Sequence, residues 1–175
     1  MDNSMRHLPL IVIPLILFAA GCSSVPEKIR KAPPSAPSLS QVREAPEKFV
    51  GSQIRWGGSI TRVENKPNET RIEIVARPLF DDGEPRDVDK SEGRFIAIIP
   101  GFLDPAIYSS DRSLTVTGRI SGSIERKLGT MDYRYPLVQT DFHHLWPRKV
   151  EYHVPYDPWM YDPWYPYPWR HYPYY

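Results

Sequence analysis

The sequence has few of the features that most often carry chemistry in a protein. Its 175 residues include one cysteine, Cys22, so neither a disulfide within the chain nor a cysteine-based zinc site is expected. The formal net charge is only +1, which provides no global field for nucleic acid or an anionic surface. A Gly-x-Ser-x-Gly elbow, a phosphate-binding loop and a His-Glu-x-x-His motif are all missing. We therefore expect no enzyme, no catalytic residues, no metal site, no cofactor and no nucleic-acid partner.

The N-terminal region has no apolar run long enough to cross a membrane. Residues 8–20 are apolar but include two prolines, whereas a spanning helix needs about 20 apolar residues. A short polar start, this apolar stretch and a small-residue end are typical of a signal peptide over residues 1–21. Ala19, Ala20 and Gly21 then precede Cys22, and this arrangement resembles a bacterial lipobox.

The lipobox resemblance implies a modification and an address. The thiol of Cys22 would carry an S-diacylglycerol group, and its amine would be acylated after cleavage behind Gly21. Ser23 stands where an aspartate is associated with inner-membrane retention in enteric bacteria, so the implied location is the cell outer membrane. Outer-membrane lipid, held through the acylated Cys22, is then the first expected partner. The alternatives are an ordinary signal peptide with an incidental cysteine, or a buried N-terminal helix.

The segment after Cys22 predicts a tether. Residues 22–48 contain several prolines and serines and few large apolar side chains. Such a composition is typical of a semi-extended linker that buries no core. Within it, residues 40–48 are compatible with a turn or a short helix.

Residues 49–146 predict an all-β domain. Apolar and polar residues alternate in short runs between turn residues, and amphipathic helices are missing. Gly57-Gly58 predicts a bulge or sharp bend inside the first strand. The interpretation is a small OB-like β-barrel of five to six strands, with a β-sandwich as the alternative. The predicted strands are 53–63, 70–76, 94–99 and 113–120, with weaker candidates at 123–128 and 133–139.

Five short motifs follow one another in this domain. They are VGSQIRWGGSI at 50–60, TRIEIVARPL at 70–79, GRF at 93–95, GFLDP at 101–105 and LTVTG at 114–118. In this order they resemble the Slp family, the starvation-inducible outer-membrane lipoproteins. The resemblance implies a structural or binding role in the cell envelope, linked to starvation stress, and it does not supply a biochemical activity. Two other hypotheses are a periplasmic adaptor or ligand-binding module and, third, a hydrolase of envelope polymers.

Three clusters are candidates for binding, and each has a structural alternative. Asp81-Asp82-Gly83-Glu84 offers oxygen ligands for calcium, but the spacing is not that of an EF-hand, which favours a polar loop. His143 and His144 are adjacent, so their rings should lie on opposite faces of a strand and not share a metal ion. Phe102 and Leu103 are expected to plug the end of the barrel.

The C-terminal tail, residues 147–175, combines aromatic residues with proline. YDPWM at 156–160 is nearly repeated by YDPWY at 161–165, and the prolines exclude a regular helix. Three interpretations stay open: an anchor at the membrane interface, a strip that binds an envelope protein or glycan, and a cover over the barrel edge. The candidate contact residues are Trp159, Tyr161, Trp164, Tyr165 and Trp169.

Overall fold

The computed structural model describes residues 25–148, which contain five strands and three short helices. Cys22 and the five aromatic residues proposed for contact in the tail lie outside the described residues. The helices are α1 (Glu27–Arg30), α2 (Leu39–Glu44) and the 3-10 helix Pro46–Phe49. The strands are β1 (Gln53–Asn65), β2 (Glu69–Ala76), β3 (Arg94–Pro100), β4 (Ser113–Leu128) and β5 (Met131–Leu145).

The strands close into a barrel in the order β1-β2-β3-β5-β4. Neighbours are antiparallel, except that β3 runs parallel to β5. The all-β prediction is confirmed, and the closed ring of five strands agrees with an OB-like barrel and not with a sandwich. The two weaker strand candidates are the distal half of β4 and the proximal half of β5, which form one long hairpin.

β1 is shared between two neighbours along its length. Its first half pairs with β4 from Gln53 to Ser59, and its second half pairs with β2 from Gly58 onward. Gly58 lies where both neighbours meet the strand, and a Cβ there would overlap the backbone carbonyl of Val75. The expected bulge occurs a little later, as a register shift between Ile60 and Arg62. The paired glycines therefore serve close strand approach, and the bulge itself is displaced from the predicted position.

The barrel interior is filled by the alternating apolar residues of the strands. On β2 every second residue is buried, as the period of two predicts. The Trp56 and Phe95 rings meet edge to face at a centroid distance of 5.4 Å in the middle of this core. The main buried side chains of the barrel are Ile54, Trp56, Ile60, Ile72, Ile74, Phe95, Ala97, Leu114, Val116, Ile120 and Val138.

The N-terminal segment packs on the barrel, which corrects part of the tether prediction. Ile29, Leu39 and Val42 are buried, and the latter two belong to the main core. Ser38 caps α2 in a capping box with Gln41, so a short helix forms despite the nearby prolines. The expectation that this segment buries no apolar side chains is wrong for residues 25–48. Its composition is linker-like, but a few well-spaced apolar residues are enough when a barrel surface is available.

Candidate functional site

Arg55 joins the N-terminal segment to the barrel. Its Nη1 atom donates to the carbonyl oxygens of Ile29 at 3.0 Å, Arg30 at 2.6 Å and Asp81 at 3.1 Å. The first two carbonyls lie at the end of α1, where a helix leaves its last carbonyls without helical partners. Because Ile29 is also fully buried, the chain is fixed to the barrel seven residues after Cys22.

Thr115 connects the β2–β3 loop with the end of β5. Its Oγ1 donates to the carbonyl of Gly83 at 2.7 Å and accepts a hydrogen bond from Nε1 of Trp146 at 2.9 Å. Gly83 has a φ of 95° and lies so close to Ile29 that a Cβ would come within 2.9 Å of its Cγ2. Ile29, Gly83, Thr115 and Trp146 thus form a continuous row of contacts, which we call the end-to-end row.

The chain leaves the barrel beside the β3–β4 loop. Nη2 of Arg112 donates to the Trp146 carbonyl at 2.7 Å, and its Nη1 donates to the Ile107 carbonyl at 3.1 Å. Arg148 then reaches Ser109 Oγ at 3.3 Å. A cavity of about 380 Å³ opens at this point, with Arg112 and Arg148 in its lining. Trp146 is the last buried residue of the described chain, so the tail starts from a fixed position.

The two adjacent histidines contact different partners, as the strand period predicts. Nε2 of His143 lies 3.0 Å from the Tyr108 hydroxyl, whereas the ring of His144 packs edge to face on Trp146 at 4.6 Å. Burial lowers the pKa of His143, with a smaller contribution from His144. Burial also lowers the pKa of His144 and raises the pKa of Tyr108. Both imidazoles therefore favour the neutral form near the start of the tail.

A second opening lies between the N-terminal segment and the outer surface of β1, β4 and β5. It has a volume of about 450 Å³. Lys28 Nζ stands 5.6 Å from the centre of the Phe142 ring, which forms part of one wall. Asp141 also lines the opening and is exposed, and it lies at the register shift where β5 has one residue more than β4. We name this opening the Lys28–Phe142 groove, after the two side chains that face each other there.

The outer face of β2 and β3, where OB-folds commonly bind ligands, is covered by the long β4–β5 hairpin. Tyr135 of the hairpin is buried against Ile96 and Ile98 and donates to Glu73 Oε1 at 3.2 Å. Burial and the Glu73 carboxylate raise the pKa of this tyrosine. Arg94 pairs with the same carboxylate at 2.6 Å. The face is therefore occupied by the protein's own side chains.

The remaining sequence candidates have structural roles. In the acidic loop 81–84, the Glu84 amide donates to Asp82 Oδ1 at 3.0 Å and stabilises a turn. This turn contains Gly83, which belongs to the end-to-end row. Leu103 packs against the core as expected, but Phe102 is 73% exposed, so the prediction that Phe102 plugs the barrel end is wrong.

Within residues 25–148, no group of three or more His, Cys, Asp or Glu side chains is placed so that it could hold a metal ion. Over the same residues, each helix is too short or too polar to cross a membrane.

The sequence pattern does not single out Arg55 or Thr115 as contact residues. Both stand in strands that alternate normally, and nothing in their neighbours predicts contacts with residues 25 to 32 positions away. The one available signal was the glycine at position 83, which stands in an otherwise acidic loop.

Fold and site together define a small five-stranded barrel in which the first and last parts of the described residues 25–148 meet in one row of contacts. The model of the outer membrane lipoprotein Slp family matches residues 19–175. The chain therefore belongs to the Slp family of outer membrane lipoproteins, which confirms the resemblance seen in its motifs. The match extends over Cys22 and the tail as well as the barrel.

Individual relatives agree with this family. The chain is 33% identical over 147 residues to the lipoprotein YeaY of Escherichia coli, which covers 82% of this chain and 76% of YeaY. It is 29% identical over 151 residues to the outer membrane protein Slp of the same organism, covering 85% of this chain and 80% of Slp. A protein of Haemophilus influenzae is 29% identical over 153 residues, covering 87% of this chain and 83% of its own length.

Proposed function

We propose that this protein is held at the outer membrane by acyl chains on Cys22 and has a structural or binding role in the envelope under starvation stress. Membership of a family of outer membrane lipoproteins supports the location. The lipobox residues 19–22 support acylation of Cys22. Each acyl methylene buried in the bilayer contributes about 0.8 kcal/mol to membrane binding, so several acyl chains anchor a protein firmly.

The docking of Ile29 carries the proposal that the barrel works close to the membrane. A fully extended chain spans at most about 3.6 Å per residue, so the seven residues from Cys22 to Ile29 reach no more than roughly 25 Å. A free tether over all of residues 22–48 would reach several times farther. An anchored Cys22 therefore keeps the barrel within about one domain diameter of the headgroups.

The start of the tail supports an interfacial role for its aromatic residues. Trp146 belongs to the same end-to-end row as Ile29, so the tail departs from a point tied to the anchored end. Tyrosine and tryptophan favour the headgroup level, where the ring is buried and the polar tip is hydrated. We propose that Trp159, Tyr161, Trp164, Tyr165 and Trp169 make this second, weaker contact.

The anchor is tested by labelled-palmitate incorporation in cells that produce the wild-type chain or Cys22→Ser. Label on the wild type alone, in the outer-membrane fraction after separation of the two membranes, is the expected result. An unlabelled wild-type chain that stays soluble in the periplasm contradicts the anchor. Label in the inner membrane contradicts the address but keeps the anchor.

An adaptor role is the second candidate, favoured by the β3–β4 loop. Phe102 and Ile107 are exposed on this loop, and Arg112 ties Ile107 to the start of the tail. Bulky apolar side chains on a rigid loop suit a protein partner of the envelope. Crosslinking in cells followed by purification tests this role: one stoichiometric envelope protein that is lost in Phe102→Ser supports it, and its persistence in that variant argues against this loop.

A further inference from the structure

We infer that the Lys28–Phe142 groove binds the headgroup of a zwitterionic phospholipid from the membrane that holds Cys22. The phosphate lies at the lysine side of the groove and the ammonium lies at Asp141. This inference rests on the proposed anchorage, because the groove must stand at a bilayer surface to meet such a headgroup.

The charges of the groove match a zwitterion and not a simple anion. Lys28 and Lys31 both line it, and Lys31 is paired with Glu27 at 2.6 Å. Asp141 of β5 supplies a carboxylate to the same groove, whereas both lysines belong to the N-terminal segment. With Lys31 paired to Glu27, Lys28 and Asp141 leave one positive and one negative group at the groove, and a phosphoethanolamine group carries one charge of each sign. A purely anionic ligand would be repelled by the Asp141 carboxylate.

The shape of the groove also suits a lipid. Its volume of about 450 Å³ exceeds that of a headgroup alone and leaves room for the first methylenes of the glycerol and acyl chains. Phe142 and the two prolines Pro33 and Pro34 provide apolar walls for those methylenes. Lys28 already stands over the Phe142 ring, so its ammonium is held near the entrance before a ligand arrives.

The position of the groove in the chain favours a membrane lipid over a distant glycan. Lys28 is six residues after Cys22, which is at most about 22 Å of extended chain. An acylated Cys22 thus brings the groove near the headgroup layer, where phospholipid is present at very high effective concentration. Even a weak site is then occupied, whereas a glycan must compete from farther away.

Photocrosslinking in cells tests the site with the full chain in its own membrane. A benzophenone amino acid replaces Gln53, which lines the groove, or Asn68, which is exposed in the turn beyond the far end of β1. Mass spectrometry of the purified protein then identifies adducts. We expect a phospholipid adduct at position 53 and about tenfold less at position 68. Equal lipid yields at the two positions overturn the inference, since they reflect mere proximity to the bilayer.

Neutralising the two charges provides the second measurement. Lys28→Gln with Asp141→Asn should lower the lipid adduct at position 53 by about tenfold, because two charged contacts are lost. The matched control is Lys127→Gln with Asp132→Asn, an exposed ion pair of 2.7 Å on the β4–β5 hairpin. This control should leave the yield unchanged. An undiminished adduct in the groove variant overturns the inference.

Fractionation of the same cells separates the two proposals. Protein in the outer-membrane fraction without a lipid adduct at position 53 overturns the groove inference alone. A glycan or protein adduct in place of lipid has the same meaning. Protein that is soluble in the periplasm overturns the anchorage, and the groove inference falls with it.

Discussion

The indole Nε1 of Trp146 donates a hydrogen bond of 2.9 Å to Oγ1 of Thr115, and both residues are buried. The same threonine oxygen donates to the Gly83 carbonyl at 2.7 Å, and a Cβ at Gly83 would come within 2.9 Å of Ile29 Cγ2. One hydroxyl group therefore holds the start of the tail and the loop under the N-terminal segment at once. This relationship joins the beginning and the end of the described residues 25–148 into a single structural unit.

Replacing Thr115 with valine tests the importance of that hydroxyl. The shape is retained, but the Gly83 carbonyl and the Trp146 indole lose their partner, and a buried unsatisfied polar group costs about 1–3 kcal/mol. We expect Thr115→Val to lower the free energy of unfolding by about 2 kcal/mol or more in denaturant titration. Thr130→Val, in the exposed β4–β5 turn, is the control and should stay near wild type. Equal stability of the two variants would show that the hydroxyl is dispensable.

Arg55→Lys should loosen the N-terminal segment without unfolding the barrel. All three hydrogen bonds to carbonyl oxygens come from Nη1 of Arg55, and a lysine side chain ends one atom short of that position. We expect faster tryptic cleavage at positions 28–31, with little change in melting temperature. Arg62→Lys, an exposed position on β1, is the control. If cleavage at 28–31 is as slow as in the wild type, Arg55 does not hold this segment.

The two histidines predict a loss of stability in mild acid. Burial lowers the pKa of His143 and of His144 below the ordinary value of 6.5. Below pH 6.5 the unfolded chain therefore binds more protons than the folded one, so stability present at neutral pH declines as pH falls through 6.5. Tyr108 contacts His143 and Trp146 contacts His144, and neither partner supplies a carboxylate to offset the added charge.

The acid effect is measured by denaturant unfolding at about pH 7.5 and pH 5.5, on either side of the ordinary histidine value. His143→Gln should reduce the difference between the two conditions. Thr130→Val, in the exposed β4–β5 turn, is the control and should keep the full difference. A wild-type protein that is equally stable at both pH values contradicts the prediction.

Gly58→Ala should prevent tight closure of the barrel. A Cβ at this position would overlap the backbone carbonyl of Val75 on β2, and backbone atoms within a sheet have little room to move. We expect a loss of about 3 kcal/mol or more in the free energy of unfolding. Ser59→Ala, the next residue on the same strand, should cost far less. A melting temperature of Gly58→Ala near that of the control would contradict the close approach.

The tail is tested by truncation after Lys149 in a form that carries Cys22→Ser. An interfacial anchor predicts that the barrel stays folded while binding to liposomes weakens. Full-length protein with Trp159, Trp164 and Trp169 changed to alanine should weaken binding in the same direction. Unchanged liposome binding would reject the anchor, and a large fall in melting temperature would instead favour a cover over the barrel edge.

The strands were predictable where local alternation decides them. On β2 the apolar positions 72, 74 and 76 face the core, as the period of two requires. The short patterns at 123–128 and 133–139 do not predict one long hairpin, because β4 and β5 are longer than common strands and their pairing contains register shifts. The exposure of Phe102 was missed because hydrophobicity alone does not tell which side of a loop meets the core.

The sequence by itself determined the family, the all-β class and the candidate lipidation site at Cys22. These properties depend on short motifs and on residue spacing, which are local. Tertiary structure alone decided that residues 25–48 pack on the barrel, that Arg55 holds them there, and that Thr115 links Gly83 to Trp146. Such contacts join residues that are far apart in the chain, and their geometry exists only after the barrel has closed.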